Sequence, residues 1–262
     1  MQPFSKFPPD NKSRIQYILT DIDDTLTCNG RLPAVVFTAM ERLQAAGLRI
    51  FPITGRPAGW CDHIARMWPV DGLVGENGAF YFRYDRANKQ MIRRYWKTAA
   101  EREADRARLE MLKTQILKNV PGCAVSADQA YREADLAIDF CEDVPPLAPQ
   151  QIAAIVDLFE AAGAHAKVSS IHVNGWFGDY DKLAMTRLLF QETCDLAIDE
   201  NRERILFIGD SPNDSPMFAF FPHSVGVANV LEFKDQLTSA PAWVTTRKGG
   251  HGFAEMVAHL FS

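Results

Sequence analysis

"RIQYILTDIDDTLTCNG", residues 14–30, decides how the rest of the chain is read. The apolar run "IQYILT" has the length of a strand and delivers the chain straight into three aspartates, Asp21, Asp23 and Asp24. A short apolar run bounded by turn residues reads as a buried strand, so the carboxylates belong at its C-terminal tip. From Pro33 the period changes. "PAVVFTAMERLQAAG" places Val36, Met40 and Leu43 on one helical stripe, and Gly47 supplies a stop. "LRIFPIT" follows as a second strand, in which Pro52 speaks against a central position. A helix over residues 58–68 and a third short strand in "DGLVGENG" complete an alternation of strands and helices. That alternation implies an α/β fold with a Rossmann-like, mainly parallel sheet covered on both faces, and a site at the strand ends.

After Phe82 the character changes. "YFRYDRANKQMIRRYWKTAAEREADRARLEMLKTQILKNV" is rich in charge and becomes helical toward its end, where Leu109, Leu112, Ile116 and Val120 recur at helical spacing. Strand-like "GCAVSA" and "LAIDF", a helix in "QQIAAIVDLFEAAG" and strand-like "HAKVSSIHVNG" follow, the pattern of a small α+β domain. From Asp181 the first pattern resumes with a helix in "DKLAMTRLLFQ" and an apolar strand, "ERILFIGD", that again ends in aspartate. The expected organisation is a discontinuous core, residues 1–82 and 181–262, with residues 83–180 inserted as a second domain.

Composition narrows the function. A chain of 262 residues that is 47% hydrophobic buries a substantial core, and a formal net charge of -5 argues against a nucleic-acid surface. No apolar run approaches the ~18 residues of a membrane span, and the N-terminus lacks a signal-peptide pattern, so no membrane partner and a cytoplasmic location are expected. The five cysteines include no CxxC pair and read as buried thiols. His63, His165, His223, His251 and His259 show no metal-ligand spacing.

Two strands that both end in aspartate, "YILTDID" and "LFIGDSPND", say more together than apart. Parallel strand tips share one edge, which brings Asp21, Asp23, Asp210 and Asp214 toward each other. Clustered carboxylates raise one another's pKa unless a counter-charge intervenes. Mg2+ fits this role, because it takes oxygen ligands at about 2.1 Å and is commonly held by one or two carboxylates plus substrate phosphate. Asp24 points away from Asp23 in an extended chain and receives no role. Thr54 and the Gly55 amide end the second strand as donors to anionic oxygens, and Lys182, opening a helix, offers a compact positive charge.

These elements resemble the haloacid-dehalogenase-like phosphohydrolases, specifically the large-cap (type IIB) members related to sugar-phosphate phosphatases and phosphomannomutase. The resemblance rests on "YILTDIDDTLT", "IFPITGR", "DYDKLAM" and "FIGDSPND" in this order, and on "SVGVANV" near the end. It implies that Asp21 is the nucleophile, forming an aspartyl-phosphate, and that Asp23 is the acid/base whose carbonyl also helps hold Mg2+. It further implies phosphate binding by Thr54, Gly55 and Lys182, a metal carboxylate at Asp210, and support from Thr25, Asn213 and Asp214. Lys182 is followed by Leu183 where a glycine is common. The inserted domain becomes a cap that closes over the strand tips. The expected activity is magnesium-dependent hydrolysis of a small phosphate monoester, a sugar phosphate by preference. A sugar phosphomutase using the same aspartates, or a non-catalytic binding protein retaining the fold, are the alternatives.

Arg132, Glu133, His172 and Asn174 are the candidate specificity residues of the cap. Alternation puts Ser170, His172 and Asn174 on one face of its last strand, turned either to substrate or to solvent, with Ile171 and Val173 opposite. Trp176 is expected to pack rather than to stack on a sugar.

Overall fold

The computed structural model describes residues 1–262. Its strands are β1 (Gln2–Pro3), β2 (Tyr17–Thr20), β3 (Arg49–Pro52), β4 (Leu73–Gly75), β5 (Phe80–Asp85), β6 (Gln90–Tyr95), β7 (Ala124–Val125), β8 (Asp135–Asp139), β9 (His165–Val168), β10 (His172–Trp176), β11 (Ile205–Gly209), β12 (His223–Gly226) and β13 (Trp243–Val244). Its helices are α1 (Pro9–Lys12), α2 (Ala34–Ala45), α3 (Ala58–Met67), α4 (Ala99–Asn119), α5 (Pro149–Ala161), α6 (Lys182–Cys194), α7 (Ser215–Phe220) and α8 (Gly249–Leu260).

Six strands form an all-parallel sheet in the order β1-β13-β12-β11-β2-β3. Period-two alternation divides its side chains between two helical layers. Ile18, Ile50, Leu206 and Ile208 pack with Val36, Met40, Ile64, Phe253 and Met256 of α2, α3 and α8. Leu19, Phe51 and Phe207 face the other way, against Met185, Leu189, Phe190, Met217 and Phe218 of α6 and α7. The mainly parallel, doubly covered core is therefore present. Pro52 ends β3 at the last position of this sheet: Ile53 N–H bonds back to Thr20 of β2, while the outer side meets β4 only through an isolated Ile53–Val74 bridge. The missing N–H thus costs little.

The sequence reading does not anticipate β1 or the hairpin of β5 and β6. The hairpin extends β4 into a three-stranded antiparallel sheet. Phe80 and Phe82 stack at 4.2 Å beneath it, and Tyr95 meets both rings edge-on. The charges of "QMIRRY" hide the alternation because β6 is largely exposed.

Between the hairpin and α6 lies an α+β unit with its own core. Its antiparallel sheet, β7-β8-β10-β9, carries α4 and α5 on one face. Thr98 opens α4 with a capping box to Glu101, and Leu109, Leu112, Ile116, Ile155 and Phe159 meet Leu136, Ile138 and Val173 of the sheet. The opposite face carries Asp135, Asp139, His172 and Asn174, all buried because the unit lies down on the core. No helix in the structure is long and apolar enough to cross a membrane.

Candidate active site

Strand register builds the site. Thr20 pairs with Ile208 on one side and Pro52 on the other, so Asp21, Asp210 and Thr54 leave the sheet at nearly the same level. Asp21 N–H still bonds to Ile208 O at 2.9 Å, which holds the first carboxylate to the strand tip. Lys182 reaches the same edge from the first turn of α6, whose N-cap Asp181 accepts the Ala184 N–H at 2.7 Å. With Leu183 after it in place of glycine, Lys182 still sits in the helix with Nζ 2.7 Å from Asp21 Oδ1 and 2.9 Å from Asp214 Oδ1.

Carboxylate oxygens of Asp21, Asp210 and Asp214 lie within 4.8 Å of one another, all buried. Asp214 crosses the end of β11 and accepts the Asp210 N–H at 3.1 Å. Gly209 makes this approach possible, since a Cβ there would stand 2.3 Å from Asp214 Oδ2. Thr25 donates to Asp210 Oδ1 at 3.0 Å, and Asn229 Nδ2 lies 3.4 Å from its other oxygen. Burial, with Asp214 and Asp23 adding to it and Lys182 opposing, pushes the Asp21 carboxyl up to about 7. Burial followed by the charges of Asp21 and Asp214 pushes Asp210 well above the usual range. Were all three ionised, the carboxylates would exceed the one ammonium by two negative charges, and burial together with that excess is what lifts Asp21 and Asp210. The all-oxygen donor set fits a hard divalent cation such as Mg2+.

Thr54 is fully buried and its hydroxyl accepts the Arg56 N–H at 3.0 Å, which leaves its own proton to donate. Gly55 packs on Asn77, where a Cβ would come within 3.2 Å of the amide. Asp24 is a turn residue in the left-handed region (φ 55); its N–H bonds to Thr27 Oγ1 and its carbonyl accepts from Asn229. Asp and Asn tolerate that conformation better than other side chains.

Asp23 does not join the three-carboxylate cluster. Arg56 Nε donates to both of its oxygens at 3.0 and 2.9 Å, and Nη2 adds a bond of 2.8 Å. Arg56 also bonds Glu142 at 3.0 Å and approaches Asp128 at 3.4 Å, both from the α+β unit. Sequence reasoning missed Arg56, Glu142 and Asp128. Arg56 follows Gly55 directly, but its partners lie too far along the chain for spacing to connect them.

A cleft between the two units is lined by Asp21, Asp23, Gly55, Asn213, His172 and Asn174, among others, with Ile171 its one apolar residue. It leaves about 20 Å3 of free space, room for little more than a water molecule, so the unit is closed on the core. Ser170 and His172 share this cleft with Asn174, as alternation along the strand anticipates; Ile171 joins them because β10 begins only at His172. Arg132 borders the cleft but spends its donors on Asp128, Asp135 and the Gly55 carbonyl. Asn174 likewise donates to Asp135 at 2.9 Å. Glu133 faces Arg102 and Arg106 outside the cleft. Trp176 packs against Tyr180 with ring centroids 5.9 Å apart.

Glu76, also unforeseen, joins the two units. Buried completely, it accepts N–H bonds from Ala58 on the core and from Glu133, Ala134 and Asp135 on the other side.

A family model described as haloacid dehalogenase-like hydrolase matches residues 18–176, from β2 to the end of β10. No curated protein sequence matches the chain. Among solved structures, Thermoplasma acidophilum 0175 has a TM-score of 0.71 at 18% identity, covering 94% of this chain and 98% of that one. The sucrose-phosphatase from Synechocystis, in complex with sucrose and phosphate, has a TM-score of 0.64 at 15% identity, with 94% and 98% covered. A sugar phosphatase of HAD subclass IIB has a TM-score of 0.60 at 14% identity, with 94% and 99% covered. At this coverage the likeness extends over the whole fold, the parallel core and the α+β unit together. With more than half its length matched by the family model, the chain belongs to the haloacid dehalogenase-like hydrolases.

Proposed function

We propose that the protein is a magnesium-dependent phosphatase that hydrolyses a small phosphate monoester, preferably a sugar phosphate, in the cytoplasm. The observation that carries this reading is the buried cluster of Asp21, Asp210, Asp214 and Lys182 at the parallel strand tips, roofed by the cap. In this reading residues 1–82 and 181–262 form the catalytic core and residues 83–180 the cap.

Phosphate-monoester hydrolysis is among the slowest uncatalysed reactions, so positioning and charge stabilisation dominate the catalytic demand. Asp21 attacks phosphorus, the bond to the leaving oxygen breaks, and Asp23 delivers a proton to that oxygen. Asp23 then takes a proton from water, whose oxygen attacks phosphorus, breaks the bond to Asp21 and releases phosphate. Lys182, the Thr54 hydroxyl and the Gly55 N–H neutralise and orient the phosphoryl oxygens. Asp21, Asp210 and the Asp23 carbonyl would hold Mg2+, which would supply charge compensation for the incoming dianion. Thr25 fixes Asp210, Asp214 fixes Lys182, and Asn213 supports the loop between them.

The nearly all-polar lining of the cleft supports a hydroxylated leaving group, with His172, Asn174 and Arg132 lining it from the cap and Glu133 outside it. Solved relatives named as sugar and sucrose phosphatases share the fold. A panel of phosphate esters assayed with Mg2+ for inorganic phosphate tests the reading. Release from a sugar phosphate at a kcat/KM well above that for nucleotides and amino-acid phosphates supports it. An isomeric sugar phosphate as product, or no turnover across the panel, overturns it.

A further inference from the structure

Arg56 stands where three carboxylates of different origin meet. Asp23 comes from the loop after β2, whereas Glu142 and Asp128 belong to the cap. The guanidinium is buried, its side chain 6% exposed, and lies 4.5 Å above the Trp60 ring. Both cap carboxylates are themselves oriented. Ser126 and Arg132 bond Asp128 at 2.7 and 2.8 Å, and His172 Nε2 lies 2.8 Å from Glu142 Oε2. The cap therefore presents two prepositioned anions to a cation whose other edge is occupied by Asp23.

We propose that Arg56 is a positioning residue that ties the orientation of the Asp23 carboxyl group to closure of the cap. The inference rests on the phosphatase reading, in which Asp23 is the acid/base. A guanidinium is a rigid planar fork whose orientation is set by the anions around it. With the cap lifted, Glu142 and Asp128 depart and only Asp23 and Trp60 direct the fork. With the cap closed, the two cap anions hold the guanidinium in place. A leaving oxygen entering the cleft then displaces Arg56 from one Asp23 oxygen without the fork losing its position. Proton transfer follows as in the proposed reaction: the Asp23 proton passes to the leaving oxygen as its bond to phosphorus breaks and the Asp21–phosphorus bond forms. Later water returns a proton to Asp23. Arg56 exchanges no proton in either step.

The test compares an alkyl phosphate, whose leaving oxygen needs protonation, with 4-nitrophenyl phosphate, whose leaving group needs little. Arg56→Ala is expected to lower kcat for the alkyl ester by ~100-fold or more, the usual scale of general acid catalysis, and for the aryl ester by less than ~10-fold. Arg56→Lys is expected to leave the alkyl deficit largely unrepaired, because an ammonium lacks the fork. Glu142→Gln, which touches neither Asp23 nor phosphate, should show the same selectivity on a smaller scale. Equal losses on both esters, or none, overturn the proposal. Thermal melts of Arg56→Lys and Glu142→Gln confirm that folded protein is compared. If the wild type releases phosphate from neither ester, the phosphatase reading fails, and hydrogen exchange judges the coupling by itself. Faster exchange of both residues 21–25 and residues 128–142 in Glu142→Gln supports it, whereas a change confined to the cap overturns it.

Discussion

Lys182 Nζ donates to Asp21 Oδ1 at 2.7 Å across 161 residues of chain, and the same ammonium reaches Asp214 at 2.9 Å. One cation thus serves two carboxylates while Asp210 beside them has none. Burial pushes Asp21 up to about 7 even with Lys182 opposing it, so the cluster is under-compensated as it stands. Such an arrangement sacrifices stability for function, and the two can be separated experimentally.

Asp21→Asn is expected to abolish phosphate release, lowering kcat by about four orders of magnitude or more, because an amide is not a nucleophile toward phosphorus. In chelator the variant should melt no lower than wild type, since one of three crowded carboxylates is gone. Undiminished turnover would refute the nucleophile assignment, and a large drop in melting temperature would refute the account of the cluster as strained.

Lys182→Met removes the one counter-charge from Asp21 and Asp214, which are almost completely buried. Breaking a buried ion pair by removing one partner costs about 3–5 kcal/mol. Urea titrations in chelator are expected to show a loss of that order, with Mg2+ restoring part of it. Equal stability in chelator would mean that the lysine does not compensate the cluster.

The architecture was legible from Asp21 and Asp210 because both strands announce themselves in short apolar runs that end in charge. Helices such as α2, with Val36, Met40 and Leu43 buried on one stripe, follow from periodicity as well. What escaped was whatever depends on contacts between elements remote in sequence. Nothing in "TGRP" says that Arg56 meets Glu142, and nothing in "GENG" says that the Glu76 carboxylate collects N–H groups from two units. Arg132 and Asn174 looked like residues free to select a substrate because a polar side chain on a cap strand shows its chemistry but not its partners. In the structure Asp128 and Asp135 occupy them. In the hairpin of β5 and β6 it was β6 that hid the pairing, since a strand with no buried residue needs no apolar alternation.

The excess charge of the cluster predicts a metal-dependent gain in stability. At Mg2+ concentrations about 100-fold above Kd, linkage gives about 2.7 kcal/mol. Asp210→Asn should remove most of the shift, because Asp210 contributes an oxygen to the cluster and has no cation of its own. A thermal shift titration with MgCl2, and with NaCl at matched ionic strength, distinguishes site binding from screening. An identical shift in the variant would place the metal elsewhere.

Glu142 links the cap to the core and predicts how acid affects closure. Its carboxyl is held down to about 2, first by the His172 imidazole beside it and then by Arg56, from an ordinary value of 4.5. For a carboxyl whose folded value is depressed, the stabilisation is present above the ordinary value and is lost as pH falls toward the folded one. Wild-type protein should therefore lose this contribution between about pH 4.5 and pH 2, and Glu142→Gln should lack it. Other carboxylates also titrate in that window, so the diagnostic quantity is the difference in unfolding free energy between the two proteins. It should be constant above about pH 5 and shrink below that point. Because Glu142 is partly open to solvent, screening reduces the difference at neutral pH to about 1–2 kcal/mol. A difference that does not vary with pH would show that the carboxyl contributes packing and not charge to the closed cap.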